Sequence, residues 1–319
     1  MPDWLNSLVP EKPVKRVVSL AALAAAGCGG IYLCSKSGLL EGSESFPLKP
    51  WQVLTLASWA GNTVAVNTGG RIDSRTKGSS KKGEDVDLPV TRFFSPAGWA
   101  FAIWGPIMSG ETGLVLYQAL PLSAVRVSFG WLSKLSPWLA SGYLFQSCWC
   151  LSFRRWAKDS GLFWFPAVLL GCTAASFGGA HNVLRTALAN GDMSALQYSI
   201  VHIPISLHYA WVSCATLVNA NGYLSLLPSL SGKTRLRFSL ASITAATYLA
   251  VAVTCTSGDP LYAGVVTWAL AAIASESAKK ANKGAAEESS LKSEKTAARV
   301  GVVACAITAL IGPFMSNTP

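Results

Sequence analysis

Three ionisable side chains, Glu111, His181 and His202, lie within or at the ends of long apolar segments of this chain. Inside a membrane such side chains are costly, so their presence there marks a functional candidate. A carboxylate and two imidazoles can relay protons, or they can hold a metal ion that arrives with a ligand. The simpler alternative is that each is a polar residue at a hydrated helix end, and both interpretations stay open.

A second group of candidates is aromatic. The segment FFSPAGWAFAIWGPI at 93–107 carries two Trp, three Phe and two Pro and no charge. Within it Trp99, Phe101 and Trp104 can offer flat apolar faces to a ligand, which is typical of a mostly apolar small-molecule pocket. The alternative for the two indoles is an interfacial belt combined with ordinary helix packing.

The segment VHIPISLHYAWVSCATLVNAN at 201–221 has a similar character. On a helix, His208, Trp211 and Ala215 would share one face. For His208 the competing interpretation is a local hydrogen bond between helices.

These residues must be positioned by membrane-spanning helices. Apolar residues make up 51% of the 319 residues and charged residues only 13%, about half of the usual charged share. Apolar runs long enough to cross a bilayer occur at 51–69, 97–118, 137–153, 161–181, 196–218, 238–255, 261–277 and 298–315. The runs are continuous rather than alternating, which excludes a transmembrane β-barrel.

A ninth run at 17–34 is weaker because it consists largely of Ala and Gly. We expect it to be a retained anchor helix rather than a cleaved targeting segment.

The placement of the basic residues supports this topology. If the loops alternate between two sides, 21 of the 26 Lys and Arg fall on one side and 5 on the other. The positive-inside rule then places the basic loops in the cytosol, or in the matrix or stroma of an organelle. Because topology explains the net charge of +10, no nucleic-acid partner is expected.

The remaining motifs indicate binding rather than catalysis. The eight cysteines are scattered without a CxxC pair, so we expect packing residues and neither a disulfide framework nor a zinc site. The sequence lacks GxSxG, HExxH, Walker A and strand-linked GxGxxG motifs, and we therefore predict that the protein is not an enzyme.

Prolines and charged connections suggest local features. Ser95 and Pro96 are expected to start a helix, and Pro106 and Pro204 to interrupt helices in mid-span. TSGDP at 256–260 predicts a tight turn between antiparallel helices.

Two polar connections complete the organisation. The loop 70–95 is long, polar and basic, and loops of this length without secondary structure are usually lids or disordered segments. The segment 278–296 is charged and of low complexity, and it is interpreted as a solvated linker that can form a transient helix.

These patterns resemble the tryptophan-rich sensory protein (TspO, or translocator protein) family. The fifth family helix carries a pattern that is matched in register here by Ala210-Trp211-Val212-Ser213, Ala215-Thr216 and Asn219. The second is matched by Pro96, Trp99, Phe101 and Trp104, and the third by Gln146 and Trp149. The spacing from Trp99 to Trp104 is closer to a longer branch of the family with extra C-terminal helices.

The resemblance implies an all-α integral membrane protein. Its parts would be an N-terminal tail at 1–50, a five-helix bundle at 51–221 with the 70–95 loop as lid, and a three-helix extension at 222–319. It also implies a ligand-binding site for a tetrapyrrole such as a porphyrin, or for a sterol, formed by Pro96, Trp99, Phe101, Trp104, Gln146, Trp149, His208, Trp211, Ala215, Thr216 and Asn219. The sequence identifies no cofactor, and a bound tetrapyrrole or lipid is a candidate.

Two other functions remain alternatives. The chain could be a structural or accessory subunit of a larger membrane complex, or it could transport small hydrophobic molecules. The expected partners are the bilayer, a hydrophobic small molecule, and either further copies of the chain or a larger complex.

Overall fold

The computed structural model describes residues 13–37, 48–72, 93–120, 128–282 and 288–315. Their regular structure is helical, apart from one isolated antiparallel bridge between Arg71 and Arg154. This confirms the predicted all-α class.

The α-helices are α1 (Pro13–Lys36), α2 (Pro50–Asn67), α3 (Trp104–Ala119), α4 (Phe129–Ser152), α5 (Arg155–Asp159), α6 (Trp164–Ala189), α7 (Ala195–Gln197), α8 (Ile203–Ser225), α9 (Gly232–Ser257), α10 (Pro260–Asn282) and α11 (Glu288–Met315). A 3₁₀ helix, Gly98–Ile103, leads into α3, and a π-helix, Tyr198–His202, leads into α8.

Within the described residues, six helical segments are long and apolar enough to cross a membrane. They are α1, α6, the continuous segment Ala195–Ser225, α9, Pro260–Ala281 of α10, and α11. The chain is therefore an integral multi-pass membrane protein. The weak apolar run at 17–34 lies inside α1. The predicted spans 51–69, 97–118 and 137–153 overlap with the helices α2, α3 and α4, which are not among the six segments that meet the length and apolarity criteria.

The start of the aromatic segment differs from the sequence prediction. Helix was expected to begin at Pro96 and to kink at Pro106, but the chain is non-helical at Pro96 and forms a 3₁₀ helix before α3. Pro106 is the third residue of α3. In a first turn a missing backbone N–H costs nothing, since that donor has no partner inside the helix.

The second expected interruption is resolved by a change of helix type. Pro204 is the second residue of α8, and the preceding turn, which includes Ile200, is the π-helix. Short π-helical turns absorb local irregularities within longer helices, so a helical path continues from Ala195 to Ser225.

The helices form two compact units. The first comprises Met1–Val86 and Glu111–Ile200, and the second comprises Asp87–Gly110 and Val201–Pro319. The division of the chain at residue 221 into a bundle and an extension stays a prediction.

In the first unit, α4 packs against α2, α6 and α1. Gly142 lies against Phe177 so closely that a Cβ there would be 2.9 Å from the ring, and Tyr143 meets the same ring edge-on. Asn62 of α2 donates to the carbonyl of Tyr143 at 3.0 Å, which joins α2 to α4.

In the second unit, α10 is the central helix and packs against α8, α9, α11 and the 3₁₀ helix. The turn between α9 and α10 has Gly258 in the left-handed region, with φ of 72°. Glycine adopts that conformation at little cost, and the prediction of a tight turn at 256–260 is confirmed.

In the charged segment 278–296, the described residues are helical. Its described residues continue α10 to Asn282 and begin α11 at Glu288. One of its carboxylates, Glu294, is buried. Charge density along the sequence does not by itself show which charged side chains are buried, because burial depends on the donors that other segments provide.

Candidate functional site

Four aromatic side chains of the second unit meet at one place, and we call them the aromatic cluster: Phe101, Trp104, His208 and Trp211. The ring of Trp211 lies 5.6 Å from Phe101 and 6.5 Å from Trp104 between centroids. The ring of Trp104 lies 5.3 Å from His208. All three contacts are edge-to-face, the arrangement that the aromatic quadrupole favours.

Local helix geometry explains why these side chains face one another. Phe101 and Trp104 are three residues apart where the chain turns with a 3₁₀ period, and residues at that spacing are aligned along such a helix. His208 and Trp211 are three apart on α8 and share a face of an α-helix. Each segment therefore contributes a pair of rings.

The cluster has a buried part and an open part. His208 and Trp211 are buried, whereas Phe101 keeps 41% of its surface exposed and Trp104 is half-buried. A planar apolar molecule could lie against the open rings while the buried pair supports them.

Trp99 is directed to another aromatic partner. It is exposed, and its ring meets Trp268 edge-on at 4.6 Å. The indole N–H of Trp268 donates to the carbonyl of Ala100 at 3.0 Å. Trp268 was not among the predicted site residues because the helix that carries it was assigned to an extension outside the site. A tryptophan in mid-helix was the available signal.

The other predicted site residues of the second unit are not part of the aromatic cluster, and two of them donate hydrogen bonds to backbone carbonyls of their own helix. Pro96 is buried in the irregular stretch before the 3₁₀ helix. On α8, Thr216 donates to the carbonyl of Val212 and Asn219 to that of Ala215, at 2.8 and 3.0 Å. Ala215 itself is half-buried.

Gln146 and Trp149 belong to the first unit. The Gln146 side-chain oxygen accepts from Asn62 at 3.1 Å. Trp149 stacks on Phe153 at 5.3 Å, and the guanidinium of Arg71 lies 5.3 Å from the centroid of its indole. The cation–π contact and the stacking give Trp149 a packing role in this unit.

The residue directly before the predicted lid, Gly69, is also held in the first unit. Arg154 donates to the carbonyls of Gly69 and Cys150 at 2.9 and 3.1 Å. Burial lowers the pKa of Arg154, and the positive charges of Arg71 and Arg16 act in the same direction. Most of the predicted lid, residues 73–92, lies outside the described residues.

The three ionisable candidates are all buried. Glu111 and His181 lie in the first unit and His202 in the second. Their assembly into one functional cluster stays a prediction.

His202 has polar neighbours that the sequence analysis missed. Ser206 Oγ donates to Asp259 Oδ2 at 2.5 Å and lies 3.4 Å from His202 Nδ1. Asp259 Oδ1 also accepts from the backbone N–H of Leu261 at 2.9 Å, so one carboxylate caps α10 and binds Ser206. The signal was an aspartate directly before a proline at a helix start, a typical N-cap.

A further buried carboxylate, Glu294, receives three donors in the second unit. The backbone N–H of Phe94 donates to Oε1 at 2.6 Å, Ser239 Oγ donates to the same oxygen, and Ser277 Oγ donates to Oε2 at 2.7 Å. Phe94 is fully buried and has φ of 50°, a region that costs a non-glycine residue energy. Glu294 thus holds the chain just before the 3₁₀ helix in a strained conformation.

A comparison with known families agrees with this architecture. A family model described as TSPO-like protein matches residues 58–312, most of the chain. The chain belongs to the TSPO-like family. No curated protein and no solved structure matches it.

The family match confirms the resemblance drawn from the sequence. In this TSPO-like protein the match includes the segment of Phe101 and Trp104, that of His208 and Trp211, and most of the helices after residue 221. The chain is thus a TSPO-like integral membrane protein with several membrane-crossing helices.

Proposed function

We propose that this TSPO-like membrane protein binds a flat hydrophobic small molecule, a tetrapyrrole such as a porphyrin or a sterol, at the aromatic cluster. The observation that carries the proposal is the meeting of Phe101 and Trp104 with His208 and Trp211. Rings that are held edge-on to one another keep fixed orientations, and fixed apolar faces bind planar ligands with little loss of side-chain entropy.

Partial exposure supports a ligand role over simple packing. Phe101 and Trp104 keep open surface beside two buried rings, so a ligand can cover them without unfolding the cluster. His208 places a polar ring beside Trp104, and a single polar group in an apolar site can orient a ligand.

The role that we propose is binding or sensing rather than catalysis. The partners would be the bilayer and the bound small molecule, with further copies of the chain or a larger complex as additional partners. We also propose that the basic loops face the cytosol, matrix or stroma, in accord with the positive-inside rule.

Titration with protoporphyrin IX tests this function. The wild-type protein in detergent should bind the probe saturably, as measured by a shift of the porphyrin absorbance. Trp104→Ala should weaken binding about tenfold, roughly 1.4 kcal/mol, because it removes one open ring of the cluster. Addition of cholesterol would show whether a sterol competes for the same site.

Trp164→Ala is the matched control. Trp164 lies on α6 in the first unit, is 40% exposed, and meets Phe165 edge-on. The Trp164→Ala variant also loses one indole, but at a position outside the aromatic cluster, so it should bind the probe as the wild type does. Absence of saturable binding, or equal weakening in both variants, would refute the proposed site.

A further inference from the structure

A groove of about 410 Å³ runs between α10 and α11 in the second unit. Its lining comprises Ala271, Ala274, Ser275, Ala278, Arg299 and Val302. The volume falls in the range of about 300–1,000 Å³ that is usual for small-molecule sites. Small side chains on α10 form its floor, and Ser275 and Arg299 are exposed.

The two helices are in close contact beside the groove. A Cβ at Gly301 would lie 2.7 Å from Leu270 of α10 and 2.9 Å from Thr247 of α9, so glycine allows α11 to approach both helices. Arg299 and Val302 lie on either side of Gly301 in the sequence. The close contact at Gly301 therefore holds these two groove-lining residues in position against α10.

One end of the groove is basic. Arg299 lines it directly, Lys295 lies one helical turn earlier on α11, and Lys279 follows Ala278 on α10. The acidic groups nearby are engaged: Glu276 lies 3.9 Å from Lys280, and Glu294 accepts three donors. Among the described residues, no ion pair includes Arg299.

The basic end coincides with the border between charged and apolar sequence. Arg299 directly precedes the apolar stretch VGVVACAITALIG at 300–312, and Ala278 precedes Lys279 and Lys280 near the end of α10. We expect a cation at this border to lie at the depth of lipid headgroups, with the adjoining groove directed towards the hydrocarbon region. Basic pockets between membrane helices typically bind acidic lipid headgroups.

We propose that this groove binds an acidic phospholipid. Its phosphate lies against Arg299, with Lys295 and Lys279 as nearby positive charges, and one acyl chain lies along Ala274, Ala271 and Val302. The complementarity of an anionic head to the basic end and of an acyl chain to the small-residue floor favours a lipid over a soluble anion, which would leave the apolar part of the groove empty.

Native mass spectrometry of the delipidated full-length protein tests the site. Phosphatidylglycerol is added at defined ratios, and phosphatidylcholine with the same acyl chains serves as the zwitterionic comparison. We expect retention of phosphatidylglycerol by the wild type, with at least a fivefold loss in Arg299→Gln. Ser275→Phe should give a similar loss, because an exposed aromatic ring there fills the groove and leaves the charge unchanged.

Arg237→Gln is the control for loss of charge. Arg237 is exposed on α9 and does not line the groove, so this variant should retain the lipid as the wild type does. Equal retention by Arg299→Gln and Arg237→Gln would overturn the proposal, as would full retention by Ser275→Phe. Displacement of the lipid by glycerol 3-phosphate alone would also overturn it, since that result would locate the affinity in a soluble phosphate.

Discussion

Glu294→Ala should lower the free energy of unfolding by about 3 kcal/mol, one of the two largest effects that we expect in this protein. The substitution leaves the backbone N–H of Phe94 and the hydroxyls of Ser239 and Ser277 without their acceptor. Each buried donor that loses its partner costs about 1–3 kcal/mol. The hydroxyls can rotate towards other acceptors, but the backbone N–H cannot, and the total therefore stays below the sum of three.

The loss should also reach the aromatic cluster. Phe94 precedes the 3₁₀ helix that carries Phe101, and its strained φ of 50° is held by the contact with Glu294. Without that contact the backbone relaxes towards an ordinary conformation. We expect weaker binding of protoporphyrin IX by Glu294→Ala at temperatures where the variant is still folded.

Glu288→Ala is the matched control for this measurement. Glu288 is exposed one turn and a half earlier on the same helix and pairs with Lys292, and exposed pairs of this kind contribute little. Thermal unfolding in detergent, followed by circular dichroism, should show a lower midpoint for Glu294→Ala and no change for Glu288→Ala. Equal midpoints for the two variants would mean that the buried contacts of Glu294 do not stabilise the fold.

Glu294→Gln separates hydrogen bonding from charge. The amide oxygen can still accept from Phe94, and the amide N–H groups can donate to a serine hydroxyl. We expect its unfolding midpoint to lie between those of the wild type and Glu294→Ala.

Gly110→Ala should be destabilising by about 1–3 kcal/mol, even though alanine favours a helix over glycine by about 1 kcal/mol. A Cβ at this position of α3 would overlap Cγ of Pro204 and lie 2.7 Å from its Cβ. A proline ring has no rotamer that moves it aside, so the backbone of one segment must shift. Helix interfaces in membranes depend on such close approaches at small residues.

Gly113→Ala, three residues further along α3, is the control that isolates the steric term. No atom of a neighbouring element lies within 4 Å of a Cβ there, so only the gain in helix propensity remains. The two substitutions should shift the unfolding midpoint in opposite directions under the same detergent conditions. Destabilisation of similar size in both would show that contact with Pro204 is not the cause.

The features that depend on whether a segment lies in membrane or in water were predictable from the sequence. Low charge and continuous apolar runs predicted membrane helices, and the described part of the chain has six helical segments that are long and apolar enough to cross. The spacing of Phe101 and Trp104, and that of His208 and Trp211, also predicted that each pair shares a face of its own segment, and the structure shows that the two pairs meet. Sequence spacing determines which side chains share a face of a helix because the backbone geometry of a helix is regular.

Features that depend on a partner distant in sequence were not predictable in the same way. Trp268 meets Trp99 across more than 160 residues of chain, and no local pattern links the two. Asp259 was interpreted as a turn residue, although it also accepts a hydrogen bond from Ser206. Pro106 was expected to kink a helix because the sequence alone does not show that α3 begins only two residues earlier.

By itself, the sequence determined that this protein is built from membrane-crossing helices and which ring-bearing segments belong to the TSPO-like family. Hydrophobicity, a property of neighbouring residues, suffices for the first conclusion, and the residue motifs shared with the family carry the second. Only the tertiary structure decided that Glu294 is buried and that Arg299 lines a groove, because burial depends on what other helices place against a side chain. The same charge type is solvated at Glu288 and enclosed at Glu294, six residues apart on one helix, since only the second meets three donors.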